Sequence, residues 1–210
     1  MDDPEQAIAY ANGNFEESHA FLVHSGLATL PPYRTFSRIL DIGSGSGDYS
    51  LRWKNIFPKS SFTYLEASKP MMELHQSLIK SSGSDKDRWF LDRLEEFFPE
   101  ECYDLVVSNS VLHHCWEPMQ FWSCLQRSVE PGSWVVITDL VRPSSVSKAN
   151  FIVDCYAKEE PEILKRDFFR SLGASFTVPE VESMLNVIRL SKSLKCKMIS
   201  DRHWMVFGEI

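Results

Sequence analysis

The chain has no cysteine framework. Its five cysteines, Cys102, Cys115, Cys124, Cys155 and Cys196, are scattered and odd in number, and none form a C-x-x-C pair. That pattern excludes a disulfide scaffold and a zinc site, and it implies free thiols in a reducing compartment. No apolar run is long enough to span a bilayer. The opening Met1-Asp2-Asp3-Pro4-Glu5 is acidic and lacks the apolar stretch of a signal peptide, so a cytoplasmic location is expected. Positive charge is also short: 22 Lys and Arg against 29 Asp and Glu give a net charge of -7. This disfavours a polyanion such as nucleic acid as the main partner, while leaving room for a local basic patch. There is no internal repeat and no low-complexity stretch.

The 210 residues, 43% hydrophobic and 24% charged, suit one soluble domain with a sizeable core. The predicted elements alternate at first. A helix spans about Pro4 to Gly26, and Pro31-Pro32 punctuates the chain before a strand at Arg38 to Ile42. A helix from about Tyr49 to Phe57, a strand from Phe62 to Leu65 and a helix opened by Ser68-Lys69-Pro70 and running to about Lys80 follow. Ser81-Ser82-Gly83-Ser84 is read as a loop, Trp89 to Leu91 as a strand and Leu94 to Phe98 as a short turn or helix. Next come a strand at Tyr103 to Ser108, a helix at Trp116 to Val129 and a strand at Trp134 to Thr138. Such alternation predicts a parallel sheet with helices on both faces. The order then changes to three helices, about 144–158, 162–172 and 179–188. Two strands, Leu194 to Ile199 and His203 to Phe207, end the chain around a tight Ser200-Asp201-Arg202 turn.

The run Ile39-Leu40-Asp41-Ile42-Gly43-Ser44-Gly45-Ser46-Gly47-Asp48 carries the most chemistry. It is a buried strand ending in a glycine turn, where the backbone can take positive φ and a ligand can approach the main chain closely. No lysine follows, so it is not a phosphate-cradling loop. The spacing Gly43-x-Gly45-x-Gly47 also differs from the dinucleotide pattern G-x-G-x-x-G. Glu66, ending the next strand, can accept both hydroxyls of a ribose. An NAD ribose would suit it equally, but the glycine spacing and the terminal hairpin count against that.

The turn resembles motif I of the class I S-adenosylmethionine (SAM) methyltransferases. Further stretches extend the resemblance over nearly the whole chain: Asn14-Phe15-Glu16-Glu17, Ser108-Asn109-Ser110-x-Leu112-His113-His114, Asp139-Leu140-x-Arg142-Pro143 and Ser200-Asp201-Arg202-His203. Together they are similar to a group of small methyltransferase-domain proteins. The resemblance implies an α/β, Rossmann-like fold. Its sheet would be seven-stranded and mostly parallel, with a C-terminal antiparallel hairpin and a helical lid. Residues 1–35 would form an N-terminal lid, 36–140 the SAM-binding core, 144–190 a helical insertion and 194–210 the hairpin.

The resemblance also assigns roles. The backbone of Gly43, Ser44, Gly45 and Gly47 would face the methionine part of SAM. Asp41 would order the loop or reach the SAM amino group through water, and Glu66 would hold the ribose. The family's adenine-contacting acid is matched imperfectly: either Asp92 shifts register, or the backbone of Arg93 and Leu94 reads the base. A solvated turn explains those residues as well. The Ser108-Asn109 backbone would line the methionine side.

His113 is the candidate general base, its unperturbed pKa lying near neutrality, and Asp139 is the second candidate. Adjacent side chains on one helical turn are not expected both to face a pocket, so His114 is left to solvent. Arg142 is a substrate-contact candidate, with an Asp139–Arg142 ion pair as the structural alternative. Tyr156 and His203 are further substrate-contact candidates. Tyr10 or Phe15 could lie against the sulfonium and gain cation–π attraction, or Phe15 could simply staple its helix.

The implied activity is methyl transfer from SAM to a small-molecule acceptor, with S-adenosylhomocysteine (SAH) as product and no metal. Two alternatives stand beside it. One is an RNA or protein methyltransferase using Arg189, Lys192, Lys195, Lys197 and Arg202 as a basic edge. The other is a SAM-binding protein without transferase activity.

Overall fold

The computed structural model describes residues 4–79 and 85–210; the expected Ser81–Ser84 loop lies outside them. Seven strands form one sheet: β1 (Arg38–Ile42), β2 (Ser61–Leu65), β3 (Arg88–Phe90), β4 (Leu105–Asn109), β5 (Trp134–Leu140), β6 (Leu194–Met198) and β7 (His203–Glu209). Their order is β3-β2-β1-β4-β5-β7-β6. The first five are parallel, while β7 runs antiparallel between β5 and β6. The chain winds outward from β1 through β2 to β3, then returns to lay β4 on the other side of β1. The strand order therefore reverses beside the carboxyl end of β1, the place where open α/β sheets bind ligands.

Among the described residues the α-helices are α1 (Pro4–Ala11), α2 (Glu16–Leu27), α3 (Asp48–Ile56), α4 (Lys69–Ile79), α5 (Pro118–Ser128), α6 (Val146–Tyr156), α7 (Glu162–Ala174) and α8 (Val178–Val187). The central strands bury both faces, as parallel strands do. Alternate residues serve opposite cores. Leu40, Ile42, Val106, Val135, Ile137 and Trp204 meet Phe121, Trp122 and Leu125 of α5 and Val181 and Leu185 of α8. On the other face Ile39, Leu105, Val107, Val136 and Met205 meet Leu22 and Val23 of α2 and Tyr49 and Trp53 of α3. A smaller cluster joins Leu140 to α6 and α7.

One expected helix is two. The segment read as continuous from Pro4 to Gly26 breaks after Ala11 and restarts at Glu16. Asn12-Gly13-Asn14 are poor helix formers. Gly13 also lies against the Phe15 ring so closely that a Cβ there would stand 2.7 Å from Phe15 Cε2. Glu16 and Glu17 then place negative charge in the first turn of α2, where the helix dipole favours it. The Leu94–Phe98 stretch is a turn, and all five cysteines are free thiols.

The hairpin turn is held from inside. Ser200 Oγ accepts the backbone N–H groups of Arg202 (3.2 Å) and His203 (3.0 Å).

A buried ion pair fixes α3 to the sheet. Lys54 Nζ donates to Asp87 Oδ1 at 2.7 Å, with side-chain exposures of 3% and 0%. The ammonium also donates to Ser60 O at 3.0 Å, and Phe62 N donates to the same Asp87 oxygen at 3.0 Å. Asp87→Ala strands a buried ammonium and is expected to cost about 3–5 kcal/mol. Adding Lys54→Met to that variant should restore part of the loss. Urea unfolding of the three proteins checks both statements.

Candidate active site

The three glycines of the β1–α3 turn all have positive φ: 71° at Gly43, 55° at Gly45 and 98° at Gly47. They serve different neighbours. A Cβ on Gly43 would lie 2.3 Å from Val111 Cγ2, so this glycine lets the loop after β4 pack onto the turn. On Gly47 it would lie 2.9 Å from His75 Cδ2 of α4. On Gly45 it would meet nothing within 4 Å, which leaves that face of the turn open to a ligand. Gly43 N and Ser44 N both donate to Leu65 O, at 2.7 and 3.0 Å, and so clamp the turn to the end of β2.

The acid expected at that strand end is pinned in place. Glu66 Oε2 accepts Gly45 N at 2.9 Å and Oε1 accepts Ser68 N at 2.7 Å. The carboxylate thus stands beside the open glycine, half-buried and oriented by two backbone donors. Asp41 is fully buried. Its Oδ2 accepts Ser50 Oγ at 2.5 Å, while Oδ1 has no partner. Burial pushes its pKa up to about 7; the Ser50 bond opposes this and the Glu66 charge adds to it. Asp41 therefore ties β1 to α3 and keeps one unsatisfied oxygen.

At the end of β4, Ser108 Oγ donates to Ile42 O at 2.7 Å, and Asn109 Oδ1 accepts Thr138 Oγ1 at 3.0 Å. These side chains lock neighbouring strands, so only their backbone remains to line a ligand.

His113 and His114 occupy a 3₁₀ turn, Leu112–His114, with ring centroids 4.1 Å apart. His113 is buried and His114 exposed. His113 Nδ1 lies 2.5 Å from Asp139 Oδ1, and its backbone N donates to Oδ2 at 3.2 Å. Leu140 N also donates to Asp139 Oδ1, at 2.7 Å. Burial would raise the Asp139 pKa, but His113 and the two backbone donors outweigh it and hold the carboxyl below its usual range. A sealed carboxylate so engaged is a poor proton acceptor.

Three other candidates are committed elsewhere. Arg142 does not pair with Asp139: it donates to Ser175 O at 3.3 Å and to Glu180 in the first turn of α8. The Tyr156 hydroxyl donates to Asp201 Oδ2 at 2.8 Å, and the Arg202 guanidinium sits 3.3 Å from the Tyr156 ring centroid. Both contacts fasten α6 to the hairpin turn. His203 is 4% exposed, with Nδ1 3.0 Å from Ser200 Oγ. Burial, helped by Arg202, lowers its pKa to about 3, and its ring holds the turn through Ser200.

On the loop after β3, Arg93 is exposed and its carbonyl accepts Glu96 N and Phe97 N. Leu94 O accepts from Arg127. Asp92 makes no hydrogen bond among the described residues.

Tyr10 comes over this site from α1. Desolvation, then the charges of Asp48, Glu66 and Asp139, push its hydroxyl up to about 12. Its ring stacks against Phe15 (4.6 Å), Phe15 against His19 (5.4 Å), and His19 meets Tyr49 edge-on (6.1 Å). The sequence reading missed His19. Its Nδ1 lies 2.7 Å from Asp48 Oδ2, which also accepts Arg52 Nε at 3.0 Å. His19 above all, with Arg52, holds the Asp48 pKa down to about 2 against burial. Only the Asp48–Arg52 i,i+4 spacing was visible in the sequence.

A cavity of about 640 Å³ lies between these helices and the turn. Tyr10, Phe15, His19, Ser46, Asp48 and Arg52 are among its lining residues, but neither Glu66 nor His113 is. Helices α1 and α7 meet across the top. Gln6 Nε2 donates to Asp167 Oδ2 at 2.5 Å, and Asn14 N donates to Glu160 Oε1 at 3.1 Å. No group of three or more His, Cys, Asp or Glu among the described residues is placed to hold a metal ion.

An open glycine beside an oriented carboxylate, with an unsatisfied acid beneath and a tyrosine above, fits SAM at the carboxyl ends of this sheet. The seven-stranded order with its antiparallel β7 is the fold of the class I SAM-dependent methyltransferases, and the chain belongs to them. Residues 40–137 match the family described as a methyltransferase domain.

The chain is similar to a malonyl-acyl-carrier-protein O-methyltransferase of Salmonella typhimurium, 31% identical over 147 residues, which are 67% of this chain and 56% of that protein. It is also similar to ribosomal RNA small subunit methyltransferase C of Shigella flexneri, 28% identical over 87 residues, 41% of this chain and 24% of that one. The chain spans 53%, 24% and 38% of the first three curated relatives it matches, about half their length or less. In fold it resembles the plantazolicin methyltransferase BpumL in complex with SAH. The TM-score is 0.74 at 15% identity, covering 98% of this chain and 90% of that one.

The Asp41 shift has a consequence for stability. Unfolded, the group ionises near 3.8; folded, not until about 7. Between those values the native state holds the extra proton, so its contribution to stability falls as pH rises through that window. Asp41→Asn stays neutral and escapes the loss. Its melting temperature should match the parent's near pH 4 and exceed it at pH 8, by the equivalent of about 2–4 kcal/mol. Thermal unfolding at both pH values measures this.

Proposed function

We propose that this protein transfers a methyl group from SAM to a small-molecule acceptor. The observation that carries the proposal is the open face of Gly45 beside the Glu66 carboxylate, itself oriented by Gly45 N and Ser68 N. When bound, SAM supplies an electrophilic methyl on a sulfonium. Glu66 accepts the ribose hydroxyls, and the turn backbone meets the methionine portion. The unsatisfied Oδ1 of Asp41 draws the amino group, directly or through water. Asp92, with the backbone of Arg93 and Leu94, borders the adenine. Tyr10 presents an aromatic face toward the sulfonium, a favourable placement for a cation. In-line methyl transfer gains most from holding its reactants aligned, so the rigid turn matters more than an acid–base array.

A small acceptor is favoured by the field of the site. Asp48, Glu66 and Asp139 all act on Tyr10, and a polyphosphate would be repelled there. Three of the basic residues that would favour an RNA partner have structural places of their own. Lys195 and Lys197 stand exposed on β6, the outer strand of the sheet, where lysines discourage pairing with another chain. Arg202 is held by Asp201 and Tyr156. RNA affinity that falls steeply with salt would restore the RNA reading.

Calorimetric titration with SAM, SAH and NAD in parallel tests the proposal. SAM and SAH should bind and NAD should not; NAD binding alone overturns it. Glu66→Ala removes charge-assisted hydrogen bonds and should weaken SAM by roughly 10- to 100-fold. Gly45→Val, at a φ of 55° on the open face, should weaken it at least as much. Unchanged affinity in Glu66→Ala would mean the ribose lies elsewhere.

A further inference from the structure

We infer that Asp139 is a positioning residue that sets the tautomer of His113, and that the acceptor presents a weakly acidic hydroxyl, phenolic or enolic, to His113 Nε2. This deepens the methyltransferase reading and rests on it.

The geometry around Asp139 calls for a proton on His113 Nδ1. Its Oδ2 accepts the His113 backbone N–H, and its Oδ1 accepts Leu140 N and faces His113 Nδ1 at 2.5 Å. The side chain is 1% exposed. A carboxylate that only accepts requires a proton on Nδ1. In the neutral imidazole Nε2 then carries the lone pair, and among the described residues it has no hydrogen-bond partner. The His113 side chain is 3% exposed, and its Nε2 is not among the fully buried atoms left without a partner, as His75 Nε2 is. The imidazole is thus anchored at one nitrogen and available at the other, which is the arrangement of a base oriented by a carboxylate.

The same dyad borders the cofactor turn. Val111, two residues before His113, packs on Gly43, and the Tyr10 hydroxyl feels both Glu66 and Asp139. A hydroxyl placed between Nε2 and the methyl would react in a balanced way. The O–H bond breaks as N–H forms at Nε2, and the oxygen pair takes the methyl carbon. The carbon–sulfur pair stays on sulfur. The imidazolium is neutralised by Asp139 until its proton passes to solvent.

A carboxylate acceptor has no use for a base and needs a cation. The arginines on the surrounding elements are engaged: Arg142 with Glu180, Arg202 with Asp201 and Arg52 with Asp48. On α7, Arg166 and Arg170 both lean on Asp167, at 3.8 and 4.0 Å. A carboxylate would therefore enter the field of Asp139 and Glu66 with none of these arginines unpaired to meet it.

Nitrogen NMR of the full chain with ring-labelled histidine tests this, with His113→Gln assigning the signals. At pH 8 without ligand, His113 should show a protonated Nδ1 and a bare Nε2. Asp139→Asn, whose amide can donate to Nδ1, should move the proton to Nε2. A protonated Nε2 in the parent, or an unchanged tautomer in Asp139→Asn, overturns the positioning role. The SAH-loaded protein is then titrated with phenol and with benzoate at millimolar concentration. Phenol should shift the Nε2 resonance and benzoate should not. A shift by benzoate alone, by both, or by neither overturns the acceptor class. Failure of SAH to bind by calorimetry would instead remove the methyltransferase reading, while the ligand-free tautomer result would stand.

Discussion

The close approach of Gly43 to Val111 is the constraint on which the site depends. A single methyl group in that gap would stand 2.3 Å from a side-chain carbon. Because there is none, the loop leaving β4 lies directly on the turn leaving β1. Val111 begins the short run that ends in His113 and His114, so the cofactor turn and the proposed base share one packed unit. Leu65 O then draws the turn against β2, and Ser108 Oγ draws β4 against β1. These contacts fix the turn in three directions before any ligand arrives. Preorganisation of this kind lowers the entropic cost of aligning two reactants.

Much of the fold was legible in the sequence because its signals are local. Strand, glycine turn and helix follow one another within the run from Ile39 to Asp48. The change from alternating elements to three successive helices is written in the order of the segments. The terminal hairpin was visible from its two strands and polar turn. Glu66 could be singled out because strand ends in such sheets face the ligand crevice. What was illegible depends on partners distant in the chain. Arg142 was paired on paper with Asp139, three residues away, but Glu180, 38 positions on, holds it. Asp139 in turn belongs to His113, 26 positions back. Nothing in composition or spacing ranks those competitors; the packing of α8 and the 3₁₀ turn decides between them. The break after Ala11 was missed for a milder reason. Asn12-Gly13-Asn14 weakens a helix without forbidding it, and the Phe15 ring lying over Gly13 completes the break.

Charge placement follows one theme. Buried charges are paired or neutral: Lys54 with Asp87, His113 with Asp139, and Asp41 held protonated up to about pH 7. Low-dielectric surroundings leave few other options. The exception is Asp41, whose second oxygen has no partner. A buried oxygen left unsatisfied costs stability in the free protein, and that cost is recovered when a donor arrives. The core is therefore least favourable where a ligand has most to offer it.

The bond between Gln6 and Asp167 spans 161 positions of sequence, and that between Asn14 and Glu160 spans 146. The first joins α1 to α7, and the second joins the α1–α2 connection to the one that leads into α7. A chain leaving the ribosome from its N-terminus can build β1, the glycine turn, β2 and α4 early and rest α1 on α4, but the bonds from the start of the chain to the α7 end must wait until that segment emerges. The far side of the roof thus closes only once α7 is made, and a chain caught before that point carries the site partly uncovered.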